Sequence, residues 1–473
     1  MLFNSFAFLI FFPVVTLLYF LLPHRFRAIM LLLASCFFYM FFKPIYILIL
    51  FFTIVIDYYA GIWLEKTIDV KKKKRYLILS LCANIGVLAI FKYYNFINLN
   101  ITSLADLAGL HNPIPFLKIL LPIGLSFHTF QAMSYTIEVY RGHQKAEHHF
   151  GIYALYVMFY PQLVAGPIER PQNVIHQFYE KHKFNYHDAV TGLNFIAYGL
   201  FKKVVIADRL SPYVNEVYGN IDKQSTIPVV IAVFFFSIQI YCDFSGYSDI
   251  AIGTARVMGF RLMRNFNFPY LSKSIAEFWT RWHISLSSWF RDYLYIPLGG
   301  NRVSKIKWYR NLAIVFLLSG LWHGASYNFI IWGGLHAFFL IFGILTLNAR
   351  GKMSELIGLN KFPSLSNFIN ISITFLLVSF AWIFFRAATF HDSMMVIHKI
   401  SEMNLHFTID QLSLSLGAYN LIESFIIVGL FLLTYFLPRN LQYKSNLAFC
   451  VCMFIIILTL GSNGTGEFIY FQF

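Results

Sequence analysis

The chain has 473 residues, 58% of them apolar and only 12% charged, with 54 phenylalanines and a formal net charge of +15. A soluble globular protein carries about twice that charge fraction, so that class is excluded and the chain reads as an all-α, polytopic membrane protein. The positive balance does not point to nucleic acid, because basic residues of membrane proteins collect in cytoplasmic loops against anionic lipid.

The stretch from Met1 to Leu22 is apolar, with no basic start and no small-residue cleavage site, and is expected to be a first span rather than a leader. Further apolar segments fall at 28–42, 45–64, 76–91, 117–138, 151–166, 190–207, 226–242, 311–347, 367–386, 420–437 and 445–461. A crossing needs about 20 residues, so some segments are short enough to be tilted or re-entrant, while 311–347 is long enough for two crossings; about 11 to 13 membrane helices are expected. Together they are expected to form one membrane domain over 1–473.

Arg25 and Arg27, and the run Lys71 to Arg75, mark two loops as cytoplasmic, with the nearly uncharged Phe42-Lys43-Pro44 turn between them outside. The N-terminus then faces outward, the Asn-rich 95–115 loop is external, and Arg141 to His149 is internal. Asp57, inside the third segment, is expected to be a buried polar tether.

The 255–310 region carries ten basic residues against two acids, Glu277 and Asp292, interleaved with aromatics such as Phe278, Trp279, Trp282 and Trp289. That mixture predicts short amphipathic helices lying in the cytoplasmic interface, punctuated by Pro269, Pro297 and a turn at Gly299-Gly300-Asn301. Asp243 and Asp249, six residues apart at the end of a span, face different ways on a helix and do not form a carboxylate pair; Arg256 is a candidate partner for Asp243. The aromatic side chains in general are expected to form lipid-facing and interfacial belts. The five cysteines lie in or beside apolar runs and read as small core residues; Cys450-Val451-Cys452 lacks zinc-site spacing, so neither metal nor disulfide framework is expected.

From Asn311 to Asn348 there is no Lys, Arg, Asp or Glu, yet the run holds His323 between Gly320 and Gly324. A polar group at such a position is costly and tends to be functional. Helical continuation from Arg310 would put His323 roughly 20 Å from that basic anchor, deep in a hydrocarbon core about 30 Å thick. A neutral imidazole can accept a hydroxyl proton near neutral pH, and His283, in Trp279-Thr280-Arg281-Trp282-His283-Ile284-Ser285, is the second candidate. No dinucleotide or phosphate-loop glycine pattern, His-Glu-x-x-His helix or Gly-x-Ser-x-Gly elbow occurs. Without a nucleophile motif, direct transfer is favoured over a covalent intermediate, and the basic region suits an anionic, phosphorylated donor. These features leave a base-catalysed transferase and a transporter both open.

Four blocks carry a resemblance. They are Pro161-Gln162-Leu163-Val164-Ala165-Gly166-Pro167-Ile168, Tyr241-Cys242-Asp243-Phe244-Ser245-Gly246-Tyr247-Ser248-Asp249, Glu277 to Ser287 running on to Gly300, and Trp322-His323-Gly324-Ala325 followed by Trp332-Gly333-Gly334-Leu335-His336. In order and spacing they resemble the membrane-bound O-acyltransferase family, in the bacterial branch typified by the alginate O-acetyltransferase membrane subunit. The resemblance implies helices around a membrane-crossing tunnel and acetyl-CoA as a donor substrate from the cytoplasm, with no permanently bound cofactor. It also implies an extracytoplasmic acceptor (alginate, cellulose, another polysaccharide or peptidoglycan), an exported accessory protein, and a bacterial cytoplasmic-membrane location. His323 takes the catalytic-base position of the family's Trp-His-Gly, and His283 matches the second motif histidine, with a role in donor binding, proton relay or tunnel shape. His128 departs from the family pattern, which has an aromatic there, and reads as structural; His336 reads as packing or tunnel lining. Two alternatives stand beside this reading: a transporter or flippase, which predicts repeats that the sequence does not show, and D-alanyl transfer to teichoic acid from a carrier-protein donor.

Overall fold

A computed structural model describes residues 1–118, 122–164, 166–404, 408, 412, 414, 417–437, 446–462 and 468–469. Within them every regular element is helical. Six helices are long and apolar enough to cross a membrane: Pro44–Lys66, Val70–Leu107, Tyr186–Gly219, Thr226–Val257, Tyr327–Leu345 and Pro363–Arg386. Shorter apolar helices at Phe6–Leu21, Asn420–Tyr435 and Leu447–Leu460 account for further segments read from the sequence. Residues 119–121 and 445, at the ends of two expected spans, and Ala165 of the first motif block lie outside the described residues.

The chain divides into two compact units. The first comprises Met1–Gly199 and Tyr247–Met263 with the described part of 440–451. Here the helices Ile47–Lys66, Val70–Leu88 and Leu125–Arg141 pack together, the last bracketed by Gly124 and Gly142, whose φ of 77° and 78° suits residues without a Cβ. Asp57 is buried between them and accepts hydrogen bonds from Ser80 Oγ (2.6 Å) and Asn84 Nδ2 (2.9 and 3.0 Å), as expected of a polar tether. His128 shares a hydrogen bond with Thr53 Oγ1 at 2.9 Å, which fits its structural reading. One expected span is broken: 151–166 folds as Phe150–Met158 and Tyr160–Leu163, because Pro161 cannot continue the ladder. Arg256 pairs with Asp188 at 2.6 Å, not with Asp243.

The second unit comprises Leu200–Gly246 with the described residues of 264–439 and 452–473. Asp243 here pairs with Lys203 at 2.6 Å, and Lys203 also reaches Asp208 at 2.8 Å, all three buried. No local pattern marks this trio, because Lys203 and Asp243 are 40 residues apart in the chain. Asp243 Oδ2 further accepts from the Ile469 backbone N–H at 2.7 Å.

The 255–310 segment does form short helices, Ile275–Arg281 and Ile284–Phe290. Their aromatic faces, however, are not an interfacial belt: Phe278, Trp282, Trp289 and Phe290 are buried within the unit. Trp332 and Trp382 are also among the largest fully buried side chains. Apolar composition cannot separate a lipid-facing ring from a packed one, because both environments are apolar. Likewise, of the five thiols read as core, Cys242 and Cys450 are buried but Cys82 and Cys452 are exposed; all five are free.

The 311–347 run forms two helices, Lys305–His323 and Tyr327–Leu345, joined at Gly324 to Ser326. They meet at glycines. A Cβ on Gly320 would lie 2.1 Å from Phe329 O, and one on Gly333 would lie 2.3 Å from Phe316 O. Gly334, one residue on, has nothing nearer than 3.8 Å. Gly320→Ala and Gly333→Ala should therefore each cost about 1–3 kcal/mol by overpacking, while Gly334→Ala should be neutral. Thermal unfolding of the three detergent-solubilised variants checks this; equal midpoints for Gly320→Ala and Gly334→Ala would refute it.

Candidate active site

His323 is the last residue of its helix, and the chain turns extended at Gly324 (φ −162°). It is 4% exposed. Its imidazole is set edge-on to Trp332 (centroids 5.0 Å, 86°) and packed against Phe385 (5.3 Å) and Trp322 (4.9 Å). A Cβ on Gly324 would stand 2.0 Å from the Phe329 ring, so glycine is required for the turn to close over it. Asn328 Nδ2 donates to Ala387 O at 2.9 Å, fastening the start of the second helix beside the end of Pro363–Arg386, which carries Trp382 and Phe385.

His283 occupies the break between the two short helices, in the left-handed conformation (φ 42°, ψ 55°). Sequence placed it on an amphipathic helix; the structure makes it a buried, strained corner. Asn265 holds that corner: Ile284 N–H donates to Asn265 O (2.9 Å) and Ser285 N–H to Asn265 Oδ1 (3.2 Å). The His283 ring lies edge-on to Phe244 (4.6 Å) and 6.0 Å from Trp322. The two candidate histidines are thus brought into one cluster, with the Trp322 ring between them. Burial pushes the His283 pKa down to about 3, so the ring is neutral at physiological pH and does not serve as a cationic clamp.

A cavity of about 150 Å³ opens beside this cluster, lined chiefly by Trp279, Leu286, Ser287, Phe290, Phe316 and Ser319. Phe316 and Ser319 precede His323 by two turns and one turn on the same helix. Arg281 is neutralised by Glu277 (2.6 Å) and Arg291 by Asp292 (2.8 Å), whereas Arg302, Lys305, Lys307 and Arg310 are exposed around the start of the helix that ends at His323. Beyond the two predicted histidines, the site includes Trp332, Trp382 and Asn265, and His336 accepts a hydrogen bond from Trp279 Nε1 at 3.3 Å. Trp332 and His336 stand in the motif blocks, but Trp382 and Asn265 do not, since packing between distant segments leaves no local pattern. Among the described residues no group of three His, Cys, Asp or Glu could hold a metal ion.

The sequence model of the membrane-bound O-acyltransferase family matches residues 40–385, which include both histidines and every side chain just described. The chain belongs to the membrane-bound O-acyltransferase family. It is similar to the "Probable alginate O-acetylase AlgI" of Pseudomonas aeruginosa, 38% identical over 457 residues that cover 94% of this chain and 84% of that protein. It is also similar to the "Peptidoglycan O-acetyltransferase" of Helicobacter pylori (36% over 439 residues, 85% and 80% covered) and the "Teichoic acid D-alanyltransferase" of Bacillus subtilis (30% over 291 residues, 59% and 71% covered). The protein is therefore a multi-pass membrane enzyme that transfers acyl groups.

The buried His283 makes stability pH-dependent with a defined sign. Its folded pKa, about 3, lies below the ordinary 6.5, so on acidification the unfolded chain binds a proton that the folded chain does not. Its contribution is full above about pH 6.5 and is lost as pH falls toward 3. His283→Asn keeps a residue that tolerates the left-handed corner and should unfold with a shallower pH slope in that window. His283→Val should be less stable at every pH, as a β-branched residue resists that backbone. Unfolding midpoints between pH 4 and 7 test both.

Proposed function

We propose that this membrane-bound acyltransferase is an O-acetyltransferase in which His323 is the general base. The arrangement that carries the reading is the uncharged, glycine-notched helix ending at His323, buried among Trp322, Trp332 and Phe385, with a small cavity one to two turns away. Acetyl is the group named for the relatives that align over most of their length. The donor is acetyl-CoA arriving from the cytoplasm. Support comes from Arg302, Lys305, Lys307 and Arg310, whose charges suit an anionic nucleotide. The acceptor is a hydroxyl on the extracytoplasmic side, in a polysaccharide or peptidoglycan or on an exported partner that completes the transfer, and the membrane is the bacterial cytoplasmic one.

In the step itself, His323 removes the hydroxyl proton as the oxygen attacks the thioester carbonyl. The C–S bond then breaks and the leaving thiolate takes that proton from His323. His283, neutral and packed behind Trp322, positions this wall of the site.

Purified protein in proteoliposomes should consume acetyl-CoA and acetylate a hydroxyl acceptor, and His323→Ala should abolish transfer with protein level and insertion intact. Full activity of that variant would remove His323 from the mechanism. Consumption of a D-alanyl carrier-protein thioester in place of acetyl-CoA would instead assign the teichoic-acid chemistry.

A further inference from the structure

Trp279 Nε1–H points at His336 Nδ1 (3.3 Å). An indole nitrogen can only donate, so Nδ1 is the acceptor and the proton of the neutral His336 ring sits on Nε2. That Nε2–H has no hydrogen-bond partner among the described residues, and neither has Trp332 Nε1–H or Trp382 Nε1–H. All three side chains are fully buried. They form one cluster: Trp332 to His336 4.9 Å, Trp332 to Trp382 5.8 Å and His336 to Trp382 6.4 Å between ring centroids. Trp332 is also the ring set edge-on to His323 at 5.0 Å.

Unpaired buried donors are rare and costly, and each calls for an account. Elsewhere in this unit Lys203 is met by two carboxylates and Asn328 Nδ2 by Ala387 O, while single buried oxygens such as Tyr213 Oη and Asn328 Oδ1 have no hydrogen-bond partner among the described residues. What distinguishes this place is that three such N–H donors are carried by rings in mutual contact, one of them the ring set edge-on to His323. Such a set suits an oxygen that gains negative charge. Trp279, which fixes the His336 tautomer, also walls the cavity, so a substrate group seated there lies beside the cluster.

We infer that Trp332, Trp382 and His336 supply hydrogen-bond donors to the carbonyl oxygen of the thioester during acyl transfer; this rests on His323 being the base. As the acceptor oxygen forms its bond to the carbonyl carbon, its proton goes to His323 and the C=O electron pair moves onto the oxygen. The N–H groups stabilise that oxyanion. When the pair returns, the C–S bond breaks and the thiolate sulfur takes the proton from His323.

Trp332→Phe and Trp382→Phe each remove one N–H and leave an aromatic ring. His336→Gln keeps a donor, and His336→Leu does not. With kcat and KM measured for acetyl-CoA in proteoliposomes, removing a donor should lower kcat about 10²- to 10³-fold. KM should shift only a few-fold, and His336→Gln should recover at least about tenfold over His336→Leu. Unchanged kcat in both Trp→Phe variants, or kcat losses that merely follow losses in unfolding midpoint with no advantage for His336→Gln, overturns the inference. His323→Ala in the same series separates the two readings: if it is inactive while the Trp→Phe variants keep kcat, only the donor role falls; if it is active, the base assignment falls.

Discussion

The close approach of two helix backbones at Gly320 and Gly333 is the constraint on which the site depends. With Phe329 O and Phe316 O occupying the space a Cβ would need, no other residue lets Lys305–His323 lie so near Tyr327–Leu345. That approach brings the His323 ring onto Trp332 and, through Trp332, onto Trp382 and His336. Gly324 then permits the turn that ends the first helix at the histidine itself. In a membrane protein such contact supplies the packing energy that water-driven burial supplies elsewhere.

Buried polarity in the second unit takes two forms. Lys203 sits between Asp208 and Asp243, and Asp243 also accepts from Ile469 N–H. Taking charges out of water is expensive, and removing one member of such a group leaves the others uncompensated; this arrangement is structural. The aromatic cluster at His323 is different, because its indole and imidazole N–H groups at Trp332, Trp382 and His336 meet no acceptor among the described residues. Charged groups met by partners within the protein hold the fold, whereas the donors at Trp332, Trp382 and His336 cluster beside the inferred base. In the first unit, Asp57 with Ser80 and Asn84 belongs to the former kind.

Much of this was legible in the sequence, for physical reasons. A 38-residue run without Lys, Arg, Asp or Glu has room for two helices, and a histidine in it must be accounted for. Asp57 was legible on the same ground. His283 stood out as a second histidine before the motif blocks brought in the family. Other features were not legible because they depend on distant contacts. Lys203, not Arg256, neutralises Asp243; sequence proximity says nothing of which cation a helix faces. The aromatics of 255–310 are core rather than belt, since hydropathy is the same for both. His283 in a left-handed corner depends on Asn265, eighteen residues earlier. The span expected at 151–166 overlooked the cost of Pro161 inside an apolar run.

The measurement that bears most directly on the account separates donor binding from transfer in His323→Gln. Acetyl-CoA affinity and single-turnover acetyl transfer would be followed on the same preparation. If His323 only moves the proton, affinity stays within a few-fold while transfer falls about 10²- to 10⁴-fold, the range for a general base. Transfer at the wild-type rate, or a loss of transfer fully explained by lost affinity, would contradict it.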